Sequence, residues 1–153
     1  MKKLFAIISL VFIFQYMNAQ SYIEIGNGTT SNNVPFYGSW NNTWSKIIYF
    51  QSEIGNAKTI TQLGFNMISP GPLTLNNQKI YLKHTSSTSG NVSYEEPVAN
   101  GFTLVYDGSI TLNQGWFTIE ITDFSYNGTD NLILLVEDRD NTSHYKNMNC
   151  TDY

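Results

Sequence analysis

Apolar and polar positions along this chain alternate with a period of two, in short runs that end on turn residues. Outside the first 19 residues no window sustains a 3.6-residue period. Tyr22 to Gly26 reads as a short first strand, and Lys46 to Phe50 as a second, followed by a turn at Glu53 to Asn56. Thr59 to Ile68 alternates imperfectly through Ile60, Leu63, Phe65 and Met67, and the phase break at Thr61-Gln62 predicts a bulge. Ser69-Pro70-Gly71-Pro72 ends that run. Gln78 to His84 follows, with Ile80 and Leu82 on one face and Tyr81 and Lys83 on the other. Phe102, Leu104 and Tyr106 lead to Asp107-Gly108, a tight-turn dipeptide that fits either a hairpin or a bulge inside one long strand. Asn113 to Gly115 predicts a hairpin turn into a strand from Trp116 to Ile121. Asn131 to Val136 is almost wholly apolar, as expected of a central strand covered on both faces.

Many short strands separated by turns predict an all-β fold, an antiparallel, jelly-roll-like β-sandwich forming a single domain. The stretch from Phe124 to Leu132 predicts a corner of it. Gly128 supplies the positive φ of a tight turn, Asn127 tolerates that region, and Asp130 or Asn131 can accept from the turn's amides. Tyr126 is expected to pack its ring there and bond a backbone group, in the manner of a tyrosine corner. Between Asn27 and Ser45 lies a long loop rich in Asn, Gly, Ser and Thr that carries Phe36, Tyr37, Trp40 and Trp44. Loops of that length usually serve binding or flexibility.

Residues 1–19 change the expected location. Lys2 and Lys3 precede an apolar run from Leu4 to Phe14, broken only by Ser9, and Ala19 offers a small residue for cleavage. Such a run is too short to span a bilayer, which needs about 20 residues, and has the form of a signal peptide. The remaining domain, 20–153, is then expected to be exported, extracellular or on the cell surface, with no membrane span. Charged residues make up only 13% of the chain, while aromatic residues reach 14%, which argues against disorder. Net charge is −4 and becomes −6 without the two leader lysines. With no Lys/Arg cluster, a nucleic-acid partner is not expected.

Candidate chemistry is sparse. The chain has two histidines, His84 and His144, and one cysteine, Cys150. Neither His has a partner at zinc-ligand spacing. A Cys150–His144 dyad would need an orienting group that the tail does not supply. Glu95-Glu96 would point to opposite faces of a strand, and Pro97 places them in a loop instead, so glycoside hydrolysis is not implied. Glu137, Asp138 and Asp140 gather oxygen ligands at a strand end, the one place where Ca²⁺ could be considered. Arg139 lies among them, however, and no EF-hand pattern is present, so a solvated acidic loop is the simpler expectation and no cofactor is assigned. Phe36, Tyr37, Trp40 and Trp44, with Asn41 and Asn42, are the residue types that stack on sugar rings and bond their hydroxyls. The competing expectation is that some of these rings cap the core. Asn-x-Thr patterns at Asn27 and Asn127 are consistent with Asn-rich loop composition alone.

LVYDGSITL (104–112), GWFTIEI (115–121) and FSYNGTDNLILLV (124–136) resemble a β-sandwich module of exported multidomain surface proteins of Bacteroidota. Those proteins include adhesins and peptidases that use type IX secretion. IEIGNGT (23–29), SKIIYFQSEIG (45–55) and KIYLKHT (79–85) extend the likeness in the same order. Within the motifs, Asp107, Gly108, Gly115, Trp116, Tyr126, Gly128 and Asn131 are expected to build structure. The resemblance carries no catalytic motif. It implies a non-enzymatic module with an adhesive or scaffolding role, partnered by other domains or by an extracellular glycan or protein. Two alternatives accompany it: a carbohydrate-binding module using the aromatic loop, or the accessory domain of a larger secreted peptidase. Such modules continue past the position of Tyr153, so the chain is expected to be a fragment or a truncated relative. A missing strand would leave the tail from Asp140 poorly packed and an apolar sheet edge exposed.

Overall fold

The computed structural model describes residues 21–28, 30–89 and 93–151; the predicted leader lies outside them. Among the described residues eight strands form two antiparallel sheets. They are β1 (Thr30–Asn32), β2 (Thr43–Tyr49), β3 (Lys58–Met67), β4 (Leu73–Thr85), β5 (Thr103–Leu112), β6 (Gly115–Tyr126), β7 (Asn131–Asp138) and β8 (Met148–Cys150). One helical turn, α1 (Gln51–Ile54), follows β2. The sheets run β1-β8-β3-β6 and β2-β7-β4-β5. Within them β4 pairs with β5, β3 with β6, β2 with β7 and β1 with β8, so the chain is one long antiparallel ribbon folded over on itself. That nesting is the connectivity of a jelly roll.

The two sheets bury a common core. Phe65 and Met67 of β3 and Phe117, Ile119 and Ile121 of β6 face Leu75, Ile80 and Leu82 of β4 and Leu132, Leu134 and Val136 of β7. The expected central strand is observed, since β7 lies between β2 and β4. Its alternate residues also face a second cluster outside the sandwich, where Leu135 packs with Tyr81 and Phe102, and with the half-buried Ile133.

Several expectations shift. Tyr22 to Gly26 is not a strand: its pattern alternates, but no ladder pairs with it among the described residues. The first strand is instead the polar Thr30–Asn32, which β8 pairs. Asp107-Gly108 is not a hairpin. It sits inside β5 opposite Lys79 and Gln78, and the bulge lies on β4, where Asn76 and Asn77 together oppose Ser109, Asn77 taking φ 52°. A second register shift, at Val105, turns that residue into the core and leaves Leu104 exposed. The turn at Asn113 to Gly115 does not close a hairpin either, because β5 and β6 belong to different sheets and the turn carries the chain between them. The break at Thr61-Gln62 is borne out, with the surplus residues on β6. The tail after Asp140 does not pack poorly as a whole, for Met148 is fully buried. Yet β8 meets β3 at a single rung, Met67 opposite Met148.

The corner forms with one change of role. The Tyr126 hydroxyl donates to the Asp130 carbonyl at 2.5 Å, and its ring is buried. The turn's amides are satisfied by Asn127, whose Oδ1 accepts from Thr129 and Asp130, both at 3.0 Å. Asn131 serves α1 instead, accepting from the Gln51 amide at 2.8 Å. Gly128 has φ +76°, and a Cβ there would lie 2.9 Å from Ala57 Cα. Gly115 has a similar φ, +83°, with open space around it. Gly115→Ala should therefore cost about 1 kcal/mol, the backbone penalty alone. Gly128→Ala should cost at least about 2 kcal/mol more, because backbone must move to accommodate it. Urea denaturation of the two variants measures the difference, and equal losses would refute the corner clash.

Candidate functional site

The loop from Asn33 to Asn42 folds across the end of the sandwich where β7 finishes. Phe36 anchors it: the ring is fully buried, edge-on to Phe65 at 5.2 Å and 6.1 Å from Phe117. Its backbone is tied to β2 on both sides of that ring. Ser45 Oγ donates to the Pro35 carbonyl at 2.6 Å, and Thr43 Oγ1 donates to the Tyr37 carbonyl. The tail clamps the same loop, with the His144 amide donating to the Gly38 carbonyl at 2.7 Å. Gly38 is required by contact, since a Cβ there would fall on the His144 ring.

That ring is buried against the Asp138 carboxylate, Nε2 to Oδ2 at 2.8 Å. Asp138, itself 1% exposed, also accepts from Gln78 Nε2 at 2.6 Å and from the Asp140 amide at 2.9 Å. A buried carboxylate needs such partners to offset its desolvation. Asp140 bonds Thr142 and the Asn76 amide, and those bonds hold its carboxyl below the ordinary value. Glu137, next in the strand, points the opposite way. It accepts from Arg139 at 2.9 Å, from Tyr94 at 2.7 Å and from Tyr81 at 3.3 Å on the outer face of the sheet. The three carboxylates considered for Ca²⁺ therefore do not converge, and no group of three metal-binding side chains occurs among the described residues. Cys150 does not face His144; its thiol lies 3.2 Å from Thr30 Oγ1. His84 is also structural, accepting from the Asn127 amide at 3.1 Å and stacking on Tyr126.

On that outer face the connection from β4 to β5 lies over β2 and β7. Trp44, half-buried, meets Tyr94 at 5.8 Å, and Lys46 sits over the Trp44 ring while pairing with Glu95 at 2.7 Å. The Glu137 hydrogen bond, then burial, pushes the Tyr94 phenol up to about 12. Burial first and Glu137 second do the same to Tyr81. The four aromatic residues of the loop thus separate. Phe36 belongs to the core, Trp44 to the outer face, and Tyr37 is half-buried, whereas Trp40 stands 72% exposed beside Asn41 and Asn42. Sequence reading missed Tyr94, Lys46 and Gln78, because their partners lie far along the chain. Only the near-continuous apolar run of β7 hinted that something must cover its outer side.

Two outcomes test this arrangement. Phe36→Ala should lose about 3–5 kcal/mol of stability as a core deletion, read from chemical denaturation, whereas Trp40→Ala should lose under about 0.5. Glu95 is held below its ordinary value of 4.5, chiefly by the Lys46 hydrogen bond. Its stabilising pair is therefore complete above that pH and is lost as pH falls through the lowered value. Acid should shift tryptophan emission to the red as Trp44 is uncovered, before far-UV circular dichroism changes, and Lys46→Met should abolish that separate step. A single acid transition shared by both signals and unaffected by Lys46→Met would refute it.

No helix among the described residues is long and apolar enough to cross a membrane. Comparisons with protein-family models, curated proteins and solved structures find no match for this chain.

Proposed function

We propose that the chain is a non-catalytic β-sandwich module of a secreted or cell-surface protein, with an adhesive or scaffolding role. Its contacts are made by the loop at the Trp40 end of the sandwich. The observation that carries this reading is the contrast inside one loop. Phe36 fixes the loop in the core while Trp40, four residues on, stands exposed. An indole held on an anchored loop gives contact area at little ordering cost, which is how binding surfaces gain affinity. The ionisable groups that a reaction could use are engaged with the fold: Asp138 with His144 and Gln78, Glu137 with Tyr81, Tyr94 and Arg139.

A carbohydrate ligand is the second reading, favoured by Asn41 and Asn42, both exposed next to Trp40. It centres on Trp40 alone, since Trp44 is packed beneath Lys46 and against Tyr94. Glycan arrays and pull-downs with insoluble polysaccharides, run beside pull-downs with extracellular-matrix proteins, distinguish the two ligand classes. Trp40→Ala should weaken whichever binding is seen by at least about tenfold, the effect of losing one aromatic anchor, with thermal stability unchanged. Binding that survives Trp40→Ala undiminished would remove the loop from the proposal.

A further inference from the structure

Building on the reading that the Trp40 loop makes this module's contacts, we infer that Tyr145 is a second contact residue beside it. The two rings together bind a chain of uncharged sugar units. Trp40 lies two residues from the hydrogen bond between the His144 amide and the Gly38 carbonyl, and Tyr145 lies one residue from it. Their Cα atoms are therefore at most about 18 Å apart. Tyr145 is 71% exposed, almost as much as Trp40. Among the described residues neither ring packs on another aromatic ring.

The backbone that carries Tyr145 is fixed from both sides. Before it, the His144 ring is buried under Gly38 and against Asp138, and its amide holds the Gly38 carbonyl at 2.7 Å. After it, the Lys146 ammonium donates to the Pro70 carbonyl. The Asn147 amide donates to Ser69 Oγ at 2.8 Å, and its carbonyl accepts from the Ile68 amide at 2.9 Å. His144 and Met148 turn inward, so the alternation of an extended chain turns Tyr145 and Asn147 outward. An exposed ring on a fixed backbone loses little freedom when it binds, which is the property already found at Trp40.

The surroundings of the rings decide the ligand class. Residues 37–43 contain no charged side chain, and in 141–147 only His144 and Lys146 can carry charge. His144 is buried and Lys146 is engaged with Pro70. Asp140, next in sequence, has its carboxylate on Thr142 and the Asn76 amide. What stands at the surface beside the rings is amide and hydroxyl: Asn41, Asn42, Thr142 and Ser143, all exposed. A sugar unit matches both parts, with a face of C–H groups that packs on an aromatic ring and a rim of hydroxyls that donate and accept. A protein partner docks around a contiguous apolar centre, which two separate rings among amides do not make. An anionic glycan needs free cations, and these two segments offer none. Two open rings suit successive units of one chain.

The test is affinity electrophoresis of the full chain in gels containing a soluble β-glucan, xylan, mannan or α-glucan, with a polyuronate as the charged comparison. At least one neutral polysaccharide is expected to retard the protein, and the polyuronate is not. Titration calorimetry with oligomers of the retarding polysaccharide then reads chain length. A six-unit oligomer should bind at least about tenfold tighter than a two-unit one, because only the longer chain reaches both rings. Tyr145→Ala should weaken the six-unit oligomer by at least about tenfold and remove the length dependence, with the melting temperature unchanged. Tyr145→Phe should keep both, since the ring makes the contact. A lowered melting temperature in Tyr145→Ala with the length dependence intact would make the residue structural and overturn the proposal. Binding weakened by Trp40→Ala but not by Tyr145→Ala would overturn it too, while leaving the Trp40 reading in place. Binding indifferent to both variants would remove both. Retardation by none of the neutral polysaccharides, or by the polyuronate alone, would overturn the ligand class.

Discussion

A strand that is apolar on both faces must be covered on both, and β7 imposes that condition on everything around it. Leu132, Leu134 and Val136 turn inward to the other sheet. Leu135 and Ile133 turn outward, where an ordinary sandwich would meet water. Phe102, Tyr81 and the connection between β4 and β5 cover them. Once that connection lies over the sheet, its polar groups need partners at the outer surface, and Lys46 with Glu95 and Glu137 with Tyr94 provide them. The buried position of Glu137 follows from the same cause. It continues the outward-facing series of β7 under the cover, and Arg139 and two phenols compensate the loss of water.

The two ends of the sandwich are closed by different means. At the Tyr126 end the work is mostly local: Asn127, Gly128 and Asp130 lie within one turn, and Asn131, His84 and Gln51 tie that turn to neighbouring elements. At the Asp138 end closure is long-range, with a loop from before β2 and a tail from after β7 meeting at Gly38 and His144. Local closure depends on backbone conformation, long-range closure on hydrogen bonds between buried polar atoms. The loop carrying Trp40 rests on the second kind.

The difference governs what could be read from the residues. The existence of β2 to β7, the central place of β7, the phase break in β3 and the Tyr126 corner were legible, because each is written in spacing or in one turn's chemistry. The role of Asp107-Gly108 was not, because Asn76-Asn77 on the partner strand decides it. Asn113 to Gly115 has the same residues whether the next strand pairs with β5 or crosses to the other sheet. β1 was invisible, since Thr30-Ser31-Asn32 carries no apolar pattern and exists only through β8. Among the candidate site residues, the aromatic composition of the loop was legible. Which ring faces the core was not, as that depends on the hydroxyls of Thr43 and Ser45.

The nested ribbon also sets a sequence of events in time. β4 and β5 are separated only by residues 86–102, whereas Thr30 and Cys150 must meet across nearly the whole chain. Loop-closure entropy favours the inner pair first and each outer pair after it, because every pairing shortens the effective loop for the next. β1 and β8 are then the last to join, and β1 cannot be placed until β8 has been synthesised. A sandwich built in this way stays incomplete until its outermost strand arrives, whatever the stability of its core.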